Sequence, residues 1–151
     1  MIGPQVTSSL RLGLVVGVLL PAMALSLPGK AEAILVDPIR IAGAASIAGL
    51  GTSQVTITQQ APQVVVAWRS FNISPNEVVR YFQPSSSSIA LKSIALNRIF
   101  DVNPTFISGG LQSNGSIILV NPTGIRLSSG SQVDVGGLTA STMNITNQDF
   151  L

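Results

Sequence analysis

The sequence predicts an all-β protein built from stacked β-coils, and three observations carry that prediction. Charged residues make up only 9% of the chain, while Ser, Thr, Asn, Gln and Gly are abundant; that balance suits polar, uncharged turns and disfavours a charged helical bundle. Short β-rich runs lie between turn signals, most clearly where Asn114-Gly115 and Asn121-Pro122-Thr123-Gly124 enclose Ser116 to Val120. Asn-Pro-x-Gly suits a type I turn, since Asn caps the first position, Pro presets φ at the second and Gly closes it. The runs also resemble one another: Ser113 to Val120 lies over Ser128 to Val135, and Gln54-Val-Thr-Ile57 echoes Gln132-Val-Asp-Val135. Similar short strands recurring along a chain suggest a column of coils more than a hairpin meander.

The length of 151 residues allows one domain. With 46% hydrophobic residues the chain is too apolar for disorder. The formal charge of +2 comes from scattered residues with no basic stripe, which argues against nucleic-acid binding. The absence of Cys and His excludes a disulfide framework, a Cys/His zinc site and any His-based triad. No cofactor is expected.

The amino terminus is an address. Arg11 precedes the apolar run Leu12 to Leu27, and Ala31-Glu32-Ala33 follows Pro28-Gly29-Lys30. A positive start, an apolar stretch and an Ala-x-Ala box make a secretory signal peptide over residues 1–33, cut after Ala33. The competing reading is a transmembrane anchor; the run is broken by Pro21 and falls short of the roughly 20 residues a spanning helix needs. The expected exported domain is therefore 34–151.

Within that domain, Ile34 to Gly51 is Gly/Ala-rich and gives a weak structural signal. Gln54 to Thr58 alternates Val55 and Ile57 with polar partners, as a half-buried strand does. Gln63 to Trp68 is continuously apolar after its first residue, as in a strand covered on both faces. Phe71-Asn72-Ile73 and Glu77 to Gln83 add two strands around the turn Ser74-Pro75-Asn76, and Pro84 with the serines after it ends that element. Ile89-Ala-Leu-Lys-Ser93 is nearly duplicated by Ile94-Ala-Leu-Asn-Arg98. An odd-length insertion would flip every later side chain, so the extra unit is expected to bulge or loop out. Phe106 to Ser108 reads as a short strand. No stretch beyond the signal carries a capped 3.6-residue stripe, so helix should be scarce.

With these residues in view, the chain resembles the amino-terminal secretion domain of two-partner-secreted bacterial exoproteins, the haemagglutination-activity domain of filamentous haemagglutinin and the high-molecular-weight adhesins. The matching pieces stand in the family's order: Ala67-Trp68-Arg69-Ser70-Phe71-Asn72-Ile73, Glu77-Val78, Phe82-Gln83-Pro84, Ala95-Leu96-Asn97-Arg98, Gly110-Leu111 with Ser113-Asn114-Gly115, Asn121-Pro122-Thr123-Gly124, Gly136-Gly137-Leu138 with Ala140-Ser141-Thr142, and Asp149-Phe150. The resemblance implies a right-handed parallel β-helix of one chain, incomplete at its carboxyl end. It implies export through an outer-membrane β-barrel transporter bearing POTRA domains, folding at the cell surface, and a passenger that acts on a host surface or glycan. Thr123 stands where the family has Asn, which removes an amide able to bond neighbouring backbone. The chain also stops at Leu151, where the family's domain continues, so it reads as truncated.

The resemblance gives Asn97, Arg98, Asn114, Gly115, Asn121, Pro122, Thr123 and Gly124 as the candidate partner-recognition set. Trp68, Phe71, Gln83, Pro84, Ala140, Ser141 and Thr142 are the structural motif. From the residues alone, Trp68 is a core aromatic or a sugar-stacking platform, with the apolar run before it favouring the core. Asn97-Arg98 is either structural or a transporter contact, and Asn121 to Gly124 is a turn, a recognition element or both. Asn72-Ile-Ser, Asn114-Gly-Ser and Asn144-Ile-Thr match the glycosylation sequon, a triplet that arises by chance in a chain rich in Asn, Ser and Thr and so carries little weight here. Asp37, Glu77, Asp101, Asp134 and Asp149 are spread out and suggest no acid/base pair, so an enzyme, such as a β-helical polysaccharide lyase, ranks below a secretion domain or a stand-alone adhesin. Two open β-helix ends, including a final coil at Met143 to Phe150, predict self-association.

Overall fold

The structure is a computed structural model that describes residues 35–85 and 92–151. The segment expected to be a signal peptide, with Ala31 and Ala33, and most of the first duplicated unit lie outside the described residues. The second unit, Ile94 to Arg98, falls in a strand.

The chain winds through four coils that present flat faces. The first coil contains β4 (Gln54–Gln59), β5 (Gln63–Trp68) and β6 (Ser70–Phe71); the second contains β7 (Val78–Phe82), β8 (Ile94–Ile99) and β9 (Thr105–Ile107). The third contains β10 (Gly110–Ser113), β11 (Ser116–Val120) and β12 (Ile125–Leu127), and the fourth β13 (Gln132–Asp134) and β14 (Gly137–Ser141). Strands β4, β7, β10 and β13 stack in parallel as the first face, and β5, β8, β11 and β14 as the second. On the third face β9 pairs with β12, and Ile73 bridges to Ile107.

Register follows from alternation. The columns Val55–Val79–Leu111–Val133 and Val64–Ala95–Ile117–Leu138 point inward. A one-residue slip would turn each column to solvent, so burial fixes the stack. Gln54 and Gln132, whose surroundings echo each other in sequence, do occupy one register column of the first face. The second echo does not mark a coil period: β11 and β13 lie on different faces. Both simply follow a tight polar turn.

The amino-terminal stretch with the weak signal forms a cap. Strands β1 (Leu35–Val36), β2 (Ile39–Ala42) and β3 (Ala45–Ala48) pair antiparallel with β6, β5 and β4 respectively. The chain thus circles the column once in the reverse sense before turning at Gly49 to Ser53 and starting the parallel coils. This reversed coil covers the apolar interior at one end, while β2 and β3 remain the edge strands of their sheets. Leu35 fills its centre at 1% exposure, and Phe71 beside it meets Trp68 edge-to-face at 5.5 Å between ring centroids.

The far end also departs from expectation. Met143 to Phe150 is not a coil. Ser141 Oγ accepts the Met143 amide at 3.0 Å, and the chain leaves the column to form the single helical turn α1 (Asn147–Phe150), capped by Thr146. Phe150 packs on the outer side of the second face, against Val65, Leu96 and Val120. This explains the continuous apolar run of β5: Val64, Val66 and Trp68 face inward, while Val65 is covered from outside.

Candidate functional site

The residues singled out by sequence gather at three polar junctions. The first is inside the column. Asn97, on β8, stands in the register column Val66–Asn97–Leu119 and is 0% exposed. Its Oδ1 accepts from Trp68 Nε1 and from the Tyr81 hydroxyl, both at 2.8 Å, and its Nδ2 donates to the Ala95 and Ile118 carbonyls at 3.4 Å. A buried amide with its oxygen doubly used and its nitrogen engaged is satisfied rather than costly. Burial pushes the Tyr81 phenol well up, so it stays a neutral donor. Trp68 is therefore a core aromatic, not a sugar platform.

The second junction joins the first and second faces. Gln83 Nε2 donates to Gln59 Oε1 at 3.0 Å and to the Ser116 carbonyl at 3.3 Å, while Gln83 Oε1 accepts from Ser113 Oγ at 2.6 Å. Asn114 grips the Gln83 backbone from both sides, accepting from its amide and donating to its carbonyl at 2.7 Å each. A side chain on residue 115 would collide with Gln83 Oε1 and the Ser93 carbonyl, which is why the turn needs Gly115. Pro84 adds its carbonyl, which accepts from Ser93 Oγ at 2.6 Å.

The third junction is the Asn121-Pro122-Thr123-Gly124 turn between the second and third faces. Gly124 N donates to Asn121 O at 3.0 Å, closing the turn, and Gly124 takes φ +117°, a conformation that glycine tolerates best. Asn121, 0% exposed, accepts the Thr123 amide at 3.0 Å and donates to Thr105 Oγ1 at 3.0 Å and Asn103 O at 3.2 Å. These bonds tie the turn to the one below it, where Asp101 caps the Asn103 amide at 2.9 Å. That backbone bond holds the Asp101 carboxyl below the usual range. The bond thought lost with Thr123 is supplied another way: its hydroxyl lies 2.7 Å from Asn103 O and 3.1 Å from Asp101 O, and can donate to either.

Arg98 is set apart from Asn97 by alternation: one side chain points in, the next out. Its guanidinium donates to Asn144 Oδ1, to the Ile145 carbonyl and, at 2.8 Å, to Asn147 Oδ1. Of the candidate recognition set, the folded column exposes Asn114, Pro122 and Thr123, while Asn97, Arg98, Gly115 and Asn121 are buried. Of the structural motif, Trp68, Phe71 and Gln83 are buried, and Ala140 and Thr142 lie exposed at the last strand. Sequence reasoning missed Gln59 and Tyr81. Gln59 had a signal: it shares the inward parity of Val55 and Ile57, an odd place for an unpartnered amide.

A single chain wound into parallel coils, with polar turns stacked at its corners, defines a single-chain parallel β-helix. The chain belongs to the family described as TPS secretion domain, which matches residues 42–151. It is 33% identical over 105 residues to a heme/hemopexin-binding protein of Haemophilus influenzae strain Rd, covering 70% of this chain and 11% of that protein. A second heme/hemopexin-binding protein of that species is 30% identical over 103 residues. The crystal structure of the HMW1 secretion domain from Haemophilus influenzae superposes with a TM-score of 0.68 at 28% identity, over 77% of this chain and 29% of that one. The column is accordingly a right-handed parallel β-helix. Such domains are structural and non-catalytic, and they reach the cell surface or the medium by way of the periplasm. Among the described residues no group of three His, Cys, Asp or Glu could hold a metal ion.

Proposed function

We propose that residues 1–33 are a cleaved signal peptide and that 34–151 is the segment by which an outer-membrane transporter with POTRA domains selects its exoprotein. The observation that carries this reading is the burial of the motif. Trp68, Asn97 and Asn121 are each 0% exposed once the coils close. A partner reads them in the extended chain, before folding. An extended segment can join a POTRA sheet edge by β-augmentation. Folding outside then opposes back-sliding, because each coil buries its apolar column only after it has emerged. The passenger that would follow contacts a host surface or glycan.

The test is capture by the POTRA-bearing part of the cognate transporter. Chain 34–151 diluted from denaturant should bind, and Asn97→Ala and Asn121→Ala should weaken capture. The same chain allowed to refold first should not bind. Equal capture of refolded and unfolded chain would remove the basis for this reading.

A further inference from the structure

The outer side of the second face is a strip of apolar side chains that the coils themselves leave uncovered. Val65, Leu96 and Val120 form one buried cluster there with Phe150, and Ile145 packs against it beside Ala42, Ile94 and Ile118 of the sheet itself. The covering segment is held at both ends. At its start, Arg98 reaches Asn144, Ile145 and Asn147; at its end, Gln63 Nε2 donates to the Phe150 carbonyl at 2.8 Å. Arg98 is 7% exposed and all three of its acceptors are neutral. A buried cation with no anion beside it depends on such hydrogen bonds. Without the segment it would stand in water on the open face.

We infer that residues 143–150 are a strap that locks the column from outside, with Arg98 as its latch. The strap acts on one face alone. The inward columns close through strand pairing that does not involve it. Two states of the domain follow: coils stacked with the strap off, and coils stacked with the strap on. The timing claim rests on the export reading above. A chain delivered amino end first builds its coils while the strap is still behind, so the column stays easy to unravel until Phe150 arrives. Locking follows the closing of the four coils.

The chain contains no cysteine, so single thiols report each side cleanly. In chain 34–151, Leu96→Cys places a thiol under the strap and Ile117→Cys places one in the interior. Adding Phe150→Ser should speed labelling of the Leu96→Cys thiol by about tenfold or more, the scale set by losing one buried aromatic, and leave the Ile117→Cys thiol unchanged. Asn144→Ala with Asn147→Ala, which keeps every apolar side chain, should give the same split at smaller amplitude. In urea jumps, Phe150→Ser should raise the unfolding rate and leave the folding rate alone, as for contacts formed after the transition state. Equal acceleration of both thiols, or loss of the fold in both strap variants, would make the strap an integral part of the column and overturn the inference. No acceleration at Leu96→Cys would overturn it too. None of these readings involves a transporter, so failure of the export reading leaves them standing and removes only the timing.

Discussion

The two ends of this column are built from the same kind of strand yet are finished in opposite ways. At the amino end, β1 to β3 run backwards around the coils and pair with every face, and Leu35 plugs the middle. At the carboxyl end, β13 and β14 pair on one side only, and Val133 and Leu138 are half-covered members of the core. Reversal ends the parallel series at the first end, although β2 and β3 still present sheet edges. An antiparallel coil cannot serve as the template for another parallel one of the same register. The last coil keeps the direction and hydrogen-bonding pattern of those before it, and is a template for more. The lesson concerns growth: the parallel series ends at the amino end, and the last coil keeps the pattern that another parallel coil would extend.

That contrast can be broken from either side. The largest effect is expected at the closed end, where Leu35→Ala should cost about 2–5 kcal/mol, as full truncation of a packed leucine does; urea denaturation followed by circular dichroism measures it. Comparable in size is Asn97→Ala between the ends, which strands the Trp68 N–H and the Tyr81 hydroxyl. Each buried orphan costs about 1–3 kcal/mol, and the same melts report it. At the open end Val133→Ala should cost less than Leu35→Ala, on the order of 1 kcal/mol, because water already reaches that side chain. The open edge should also show itself in solution. Chain 34–151 is expected to associate with rising concentration, and Ala140→Pro on β14, which removes an N–H facing the open edge, should suppress that in sedimentation experiments; a monomer across the whole range would contradict it.

The smallest effect is one of pH. Asp101, in the turn that supports Asn121, has its carboxyl pKa lowered chiefly by the Asn103 amide. A lowered folded pKa means that its contribution to stability is present above the unfolded value, near 4, and is lost as pH falls through the folded value. Asp101→Asn should therefore flatten the melting temperature against pH below about pH 4 and leave neutral pH almost unchanged. A melting curve as steep in the variant as in the parent would assign the acid limb to other carboxylates.

Much of the column was legible beforehand because it rests on local rules. Alternation in β4, the apolar run of β5, the turns at Asn114-Gly115 and Asn121 to Gly124, and the scarcity of helix all follow from side-chain parity and turn chemistry. The cap was not legible. Ile34 to Gly51 carries small residues with no strong period, and its strands exist because β4, β5 and β6 offer edges to pair with. The strap was misread as a coil for a related reason. Nothing in Asn144-Ile-Thr-Asn147 announces that a guanidinium waits to receive it.

The residues themselves determined that this protein is all-β, that it coils, and where most of its turns fall, since those depend on neighbours within a few positions. Only the tertiary structure decided which side chains meet across coils: that Asn97 serves Trp68 and Tyr81, that one end is sealed, and that Arg98 fastens the tail. Such pairings join positions far apart along the chain, and a linear pattern records each partner's chemistry without recording which partner it will find.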